Sequence, residues 1–262
     1  MNLPTTAFPA RARPRRGGVP PSWRRLASPP LFEAAAARWC KALALLALAC
    51  ALPGLALVFF VAPGDARQGE SVRLLALHVP AAWMSMWLYA VMAGWGAVAL
   101  VWRGRVATAM AQALAPTGAL FCALALASGA LWGRPTWGTW WAWDARMASQ
   151  LLLLLLYLGV MGLRAAFDDP RRAARLSALL SLVGLVNLPI IYFSVQWWNT
   201  LHQGATLTPR GAAMPSSTLA ALLLMTLAAW AWAAAMALLR ARCLLAEQRG
   251  APAQPYPTVE GW

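Results

Sequence analysis

Two histidines, His78 and His202, supply the only imidazole side chains in the sequence. A neutral imidazole is a common axial ligand of haem iron, and two of them would hold a flat macrocycle without leaving an open position for oxygen chemistry. A histidine near the end of a helix is more often a hydrogen-bonded interfacial residue. Whether the pair acts together therefore depends on whether the fold brings both residues to one surface.

A second unusual feature is the segment 132–146, WGRPTWGTWWAWDAR, which holds five tryptophans, one aspartate and two arginines. Indole is bulky, flat and amphipathic, so this cluster suits either the face of a planar ligand or a membrane interface. Four residues have the i, i+3, i+4, i+7 spacing of one helix face: Trp137, Trp140, Trp141 and Asp144. The glycines and proline within 133–138 predict a broken turn before this short amphipathic helix. Asp144 is expected to organise the segment rather than to act as an acid catalyst.

Two arginines accompany these residues. Arg73 lies five positions before His78, and Arg146 ends the tryptophan-rich segment. Guanidinium pairs with carboxylate in a bidentate fork, so both are candidates for binding the two propionates of haem. Binding of lipid headgroup phosphates is the alternative role for either arginine.

The elements that position these residues must be membrane helices. The chain is 61% hydrophobic and 11% charged, against roughly 25% charged in soluble domains. Its basic residues form short clusters between apolar runs, so the net charge of +14 indicates membrane topology and lipid contact rather than nucleic-acid binding. The only lysine is Lys41, which excludes a GxxxxGK phosphate loop. The four cysteines form neither a CxxC pair nor a CxxCH haem-attachment motif.

Six apolar runs are long enough to cross a bilayer of about 30 Å. They lie approximately at 42–62, 74–102, 106–131, 147–163, 176–196 and 218–239, and the fourth is the shortest. We therefore predict an all-α integral membrane protein. It consists of a disordered basic tail (1–38), a six-helix domain (39–240) with the tryptophan-rich segment 132–147 between its third and fourth helices, and a second tail (241–262).

The distribution of basic residues predicts the orientation. With both termini inside, 17 of the 22 basic residues fall on the inner side of the membrane and 5 on the outer side, as the positive-inside rule requires. The five outer residues are Arg67, Arg73, Arg134, Arg146 and Arg210. In this orientation His78, His202 and the tryptophan-rich segment all face outward. The prediction that the two histidines share one surface makes a joint ligand role more plausible.

Three stretches closely resemble the cytochrome c maturation protein C (CcmC) family: LHVPAAWMS, WGRPTWGTWWAWDARMAS and VNLPIIYFSVQWWNTLHQGAT. The tryptophan-rich segment corresponds to the family's WWD domain, and the resemblance runs from about residue 40 to residue 240. It implies a six-helix protein of the bacterial inner membrane that binds haem b non-covalently at the periplasmic face. It also implies that haem is passed to the haem chaperone CcmE, and that the protein associates with the ATP-driven subunits CcmA and CcmB and with the small subunit CcmD.

The resemblance also assigns roles to individual residues. The family's axial ligands fall on His78 and His202, and its arginines on Arg73 and Arg146. Its haem-contacting tryptophans and their neighbours fall on Trp132, Trp137, Trp140, Trp141, Trp143, Asp144, Trp197 and Trp198. The chain departs from some relatives at Tyr192, where they have an additional histidine, and at Gln196, where they have glutamate.

Three functions remain open from the sequence. The first is a haem carrier that loads a chaperone, with no nucleophile or acid–base pair that would make it plainly an enzyme. The second is an intramembrane transferase acting on a lipid-linked phosphate substrate, with Asp144 as base and the outer arginines holding phosphates. The third is a purely structural subunit, which would tolerate replacement of both histidines.

Overall fold

A computed structural model describes residues 28–204, 206–208 and 211–250 of the chain. Its helices are α1 (Pro29–Ala56), α2 (Leu75–Trp102), α3 (Arg105–Trp137), α4 (Ala145–Ala166), α5 (Pro170–Gly184), α6 (Asn187–Trp197) and α7 (Ser216–Gly250). A π-helical turn (Leu57–Val61) extends α1, and a 3₁₀ turn (Glu70–Leu74) leads into α2. Between α6 and α7, the two-residue strands β1 (Leu207–Thr208) and β2 (Gly211–Ala212) pair in antiparallel register.

Six stretches of the described chain are helical, long and apolar enough to cross a membrane, which confirms the predicted fold class. They are Pro29–Val61, Glu70–Trp102, Arg105–Trp137, Ala145–Ala166, Pro170–Trp197 and Ser216–Gly250. The fourth is the shortest of these, at 22 residues, as the sequence predicted. The fifth combines α5 and α6, which are separated by a break at residues 185–186.

The outer bounds of the bundle differ from the sequence prediction. Helix α1 begins at Pro29, so residues 29–38 are helical although they were assigned to the tail. Proline is well tolerated in the first helical turn, and the alanine run that follows favours helix. Helix α7 continues to Gly250, past the predicted end at 240, through residues such as arginine, glutamate and glutamine that favour helix without being apolar. The remaining parts of the predicted tails 1–38 and 241–262, residues 1–27 and 251–262, lie outside the described residues.

The tryptophan-rich segment is not the short amphipathic helix that its spacing predicted. Helix α3 runs on to Trp137, and residues 138–144 are irregular. Gly138 ends α3 in the left-handed region (φ 78°), where its N–H bonds the Arg134 carbonyl. Asp144 is extended and starts α4 by accepting a hydrogen bond from the Met147 N–H at 2.8 Å. These two caps leave Trp140 and Trp141 on a connecting loop.

The core of the bundle lies among α2, α3, α4 and α7. Many of the buried positions on α3 are alanine, which lets the neighbouring helices approach closely. Buried polar groups tie α4 to its neighbours: the Tyr157 hydroxyl donates to the Ser85 carbonyl at 2.8 Å, and the Gln150 amide donates to the Ser85 hydroxyl at 2.8 Å. In an apolar surrounding such paired groups hold helices in one register. The helices therefore form a rigid frame beneath the candidate site.

Candidate functional site

A cavity of about 730 Å³ opens at the end of the bundle where α2 begins and α3 ends. Its lining consists of His78, Ala82, Met86, Ala125, Leu126, Gly129, Trp132, Thr136, Trp137, Arg146, Met147, Gln150, Ile191, His202 and Gln203. The structure thus brings five of the predicted site residues together: both histidines, two of the tryptophans and Arg146.

The two imidazoles lie next to each other in the lining of this cavity. Their ring centroids are 6.1 Å apart and their planes are inclined by 34°. His78 lies in the first turn of α2, whereas His202 lies on the loop that follows α6. On the facing helix α3, a Cβ atom at Gly129 would lie 3.0 Å from Cε1 of His78. Glycine at this position therefore leaves the space that the His78 ring occupies.

Hydrogen bonds determine which nitrogen of each ring carries the proton. The Ser128 hydroxyl donates to the Leu124 carbonyl at 2.5 Å, so its oxygen accepts from Nδ1–H of His78 at 3.1 Å. In the same way, Nδ1–H of His202 donates to the Gln203 carbonyl at 2.8 Å. These hydrogen bonds of the two rings thus involve Nδ1 in both cases. Both Nε2 atoms therefore retain the lone pair that a metal ligand needs.

The surroundings of His202 determine the charge of its imidazole ring. Removal from water lowers the pKa of the His202 imidazole below its usual value of 6.5, and the nearby Arg146 guanidinium lowers it further. The Gln203 carbonyl and the Asp144 carboxylate act in the opposite direction but are smaller causes. The ring is consequently neutral at pH 7, which is the form that can bind a metal.

Two tryptophans flank the imidazole pair. Trp132 is buried and presents its ring edge-on to His78, with centroids 5.8 Å apart and planes inclined by 81°. The Trp137 ring lies 6.1 Å from His202. A Cβ at Gly133 would come within 3.0 Å of the Trp137 ring, so glycine allows that ring to fold back over the end of α3. These two indoles belong to the cavity.

The remaining predicted tryptophans lie outside the cavity lining. Trp140 and Trp143, in the loop between α3 and α4, are 56% and 80% exposed. Trp141 packs edge-on against Trp143 at 5.3 Å. After the cavity-lining part of α6, Trp197 and Trp198 are also exposed and lie 5.7 Å apart. The two segments that bound the cavity therefore present indole to the surroundings.

The polar residues predicted for the site lie in three different places. Arg146 lines the cavity, and its Nη1 donates to the Ile191 carbonyl at 3.2 Å. Arg73 does not reach the cavity, because its guanidinium pairs with Glu70 and donates to the Val58 carbonyl beside a separate pocket of about 250 Å³. Asp144 caps α4 and does not line the cavity. The two positions at which the chain departs from some relatives, Tyr192 and Gln196, are exposed and do not line the cavity.

Sequence reasoning missed several residues that shape the site. Ser128 lies one helical turn before Trp132, so helical spacing from a predicted site residue could have identified it. Gln203 directly follows His202, so its adjacency along the chain is the signal that could have identified it. Gln68, whose side-chain oxygen accepts from the Trp132 indole N–H at 2.8 Å, carries no local signal at all. Its role follows only from the tertiary structure.

Comparison with known proteins identifies the family. The model of the family described as Heme exporter protein C matches residues 22–254. The chain is 50% identical over 207 residues to Heme exporter protein C of Bradyrhizobium diazoefficiens, covering 78% of this chain and 77% of that protein. It is 55% identical over 148 residues to Heme exporter protein C of Escherichia coli strain K12, covering 56% of this chain and 60% of that protein. A ccmC-like mitochondrial protein of Marchantia polymorpha, whose name includes cytochrome c biosynthesis, is 40% identical over 163 residues, covering 62% of this chain and 69% of that protein. The chain therefore belongs to the heme exporter protein C family.

Proposed function

We propose that this chain is a haem-handling membrane protein of cytochrome c biogenesis, and that it binds haem b non-covalently in the cavity with His78 and His202 as axial ligands. The names of its relatives support the haem cargo and the pathway. The observation that carries the assignment of the site is the convergence of the only two imidazoles of the sequence in one cavity.

The separation of the two rings is that expected for an iron atom between them. Metal–imidazole nitrogen bonds of about 2 Å on opposite sides of one metal place the ring centroids about 6 Å apart, and the observed separation is 6.1 Å. Both rings have their Nδ1–H bonded to protein oxygens, which is the arrangement that orients a ligating histidine. Within the described residues, no group of three or more His, Cys, Asp or Glu side chains could hold a metal by itself. The macrocycle would supply the remaining ligands.

The rest of the lining suits a porphyrin. Trp132 and Trp137 offer indole surface next to the imidazoles, and the alanine, methionine and isoleucine side chains supply an apolar wall. Arg146 is the cation in the lining, so we assign it to a propionate. Arg73 is left out of the proposed site, because it pairs with Glu70 beside the other pocket.

The exposed tryptophans supply a surface through which haem can be passed to a partner protein. We assign Trp140, Trp143, Trp197 and Trp198 to a docking surface for the haem chaperone CcmE, because these exposed indoles lie on the segments that adjoin the cavity-lining parts of α3 and α6. Aromatic residues of this kind commonly anchor protein–protein contacts. The proposal includes assembly with CcmA, CcmB and CcmD in the bacterial inner membrane, where a partner would bind ATP.

The competing transferase function is disfavoured by the position of Asp144. Its carboxylate accepts the Met147 N–H and caps α4, so it is not directed to a substrate. The cavity lining, as far as the structure describes the chain, contains no Asp or Glu that could replace it as a base. A general base must lie within hydrogen-bond reach of the proton that it removes.

An absorbance spectrum of the purified, haem-fed protein tests the haem site. The wild type should show the bands of six-coordinate low-spin haem, and His78→Ala and His202→Ala should each lose haem or become high-spin. Gln196→Ala is the matched control, because Gln196 is exposed on α6 and outside the cavity. An unchanged low-spin spectrum in the variant lacking both histidines would refute the assignment.

The periplasmic orientation is tested separately. Alkaline phosphatase fused after Gly138 or Gln203 should be active, since both positions lie at the cavity end of the bundle, and a fusion after Asp169 should be inactive. The opposite pattern would place the cavity on the cytoplasmic side and contradict delivery to a periplasmic chaperone.

A further inference from the structure

A chain of hydrogen bonds beside the cavity joins three separate parts of the sequence. The indole N–H of Trp132 donates to Oε1 of Gln68 at 2.8 Å, and Nε2 of Gln68 donates to Oε1 of Gln203 at 3.1 Å. The backbone carbonyl of the same Gln203 accepts Nδ1–H of His202 at 2.8 Å. The loop before α2 is thereby linked to the loop that carries His202.

The direction of this chain follows from the chemistry of indole. Trp132 Nε1–H can only donate, so Gln68 must present its oxygen to the indole and its NH₂ group to Gln203. Gln203 must in turn present its oxygen. The buried Trp132 indole thus sets the order of donors and acceptors. Gln68 must supply one acceptor and one donor, and Gln203 must supply an acceptor, which substitutions can test.

The backbone around Gln68 is held independently of the cavity. The Asp65 carboxylate accepts the N–H groups of Arg67 and Gln68 at 2.8 and 2.9 Å, which lowers the pKa of the Asp65 carboxyl. Asp65 and Gly69 exchange two backbone hydrogen bonds, and Gly69 takes a positive φ of 57° that favours glycine. The Ser71 hydroxyl bonds the Gln68 carbonyl at 2.6 Å. Gln68 therefore projects from a preorganised turn and can act as a fixed support.

We propose that Gln68 is a positioning residue for the axial ligand on the loop, and that the Gln68–Gln203 amide pair holds His202 over the cavity. The proposal rests on the proposed function of the site. His78 needs no such device, because it belongs to a helix and bonds Ser128 on the adjacent helix. His202 lies on a loop, so its position depends on the contacts that the loop makes. The amide pair slows haem loss, and its opening releases the His202 side of the site.

Leucine substitutions remove the amide pair. In purified haem-loaded protein, Gln68→Leu and Gln203→Leu should each speed haem transfer to excess apomyoglobin by about 2- to 10-fold, the range expected for one surface hydrogen bond. Each should also raise the high-spin fraction of bound haem. Because both variants break the same contact, the double leucine variant should lose haem no faster than the Gln68→Leu variant alone.

Glutamate substitutions test the direction of the bonds. Gln203→Glu keeps an acceptor for the Gln68 NH₂ group, and Gln68→Glu keeps an acceptor for Trp132 while the exposed Gln203 amide can turn to donate. Each single change should therefore leave the haem transfer rate within about 2-fold of wild type. The double glutamate variant has two carboxylates and no donor between them, so it should lose haem as fast as the leucine variants or faster. The combination of Gln68→Glu with Gln196→Glu is the charge-matched control and should behave as wild type.

The outcomes separate the two proposals. A wild type that does not bind low-spin haem would overturn both the site and the positioning role. If the wild type binds low-spin haem, the site stands. If the leucine variants or the double glutamate variant then match the wild type in transfer rate and spin state, the positioning role alone is overturned. If Gln68→Leu does not accumulate in membranes, Gln203→Leu and the glutamate set decide the question by the same criteria.

Discussion

Substitution of Gly129 tests whether packing against α3 fixes the position of the His78 ring. We predict that Gly129→Ala weakens haem binding without destabilising the haem-free protein. A Cβ atom at this position would lie 3.0 Å from Cε1 and 3.5 Å from Nδ1 of His78. Ordinary carbon–carbon contacts lie at about 3.5–4.0 Å, so the imidazole must move away from α3 by about 0.5 Å.

This displacement affects the orienting hydrogen bond. The distance from His78 Nδ1 to Ser128 Oγ is 3.1 Å, and a movement of about 0.5 Å would lengthen it to about 3.6 Å, beyond a normal hydrogen bond. Loss of an orienting partner of a metal-ligating histidine typically lowers metal affinity by about 10- to 100-fold. The same substitution removes a glycine from a helix interior, which favours the helix by about 0.5–1 kcal/mol. Haem affinity should therefore fall by about 10-fold or more while the stability of the haem-free protein is maintained.

The assay is a haem titration of detergent-purified protein, followed by absorbance, together with thermal unfolding of the haem-free form. Gly162→Ala is the matched control, because Gly162 lies inside α4 and a Cβ there would meet no atom within 4 Å. The control should keep wild-type haem affinity and spin state. If Gly129→Ala also keeps both, the His78 ring is not confined by α3 and the reasoning from its packing is refuted.

Three further predictions concern the same site. Ser128→Ala should lower haem affinity by about 10- to 100-fold, because it removes the acceptor that orients His78; wild-type affinity in a titration would contradict this. Haem retention should fall on acidification, because a proton on Nε2 of His202 removes the lone pair that binds the metal, and the lowered pKa of His202 in the haem-free site places the onset of this loss below the usual histidine value of 6.5. Spectra recorded from pH 8 to pH 5 check this, and tighter haem binding on acidification would oppose it. Replacing Trp140 and Trp143 together by alanine should leave membrane abundance and haem content normal and reduce covalent haem on the chaperone; abundance by immunoblot and chaperone haem staining measure this, and disappearance of the protein from the membrane would favour an anchoring role instead.

The number and order of the membrane helices could be predicted from the sequence because hydropathy is a local property. Each span needs about 20 apolar residues regardless of its neighbours, so six spans and the short fourth span were recognisable from composition along the chain. The ends at Pro29 and Gly250 were misjudged, since a helix can continue through polar residues of high helix propensity after the apolar run has ended.

The loop conformation could not be predicted in the same way. The spacing from Trp137 to Asp144 matched a helix face, yet the left-handed Gly138 and the Asp144 cap end one helix and begin the next. Both caps are local signals, and they outweighed the periodicity of a segment too short to form a stable helix by itself. The position of Arg73 could not be predicted for a different reason. Its sequence distance from His78 suggested a shared site, but its guanidinium turns toward Glu70 and the π-helical turn after α1.

The residue types needed for the chemistry were thus determined by the sequence alone: two imidazoles, a concentration of indole, and a composition that requires a membrane. Only the tertiary structure decided which of them meet. It brings His78 and His202 to a centroid separation of 6.1 Å, selects Trp132 and Trp137 from the available tryptophans, and recruits Gln68 from a loop distant in sequence. The physical reason is that hydropathy and helix propensity act over neighbouring residues, whereas the positions of loop side chains depend on directional hydrogen bonds and packing between helices that are far apart along the chain.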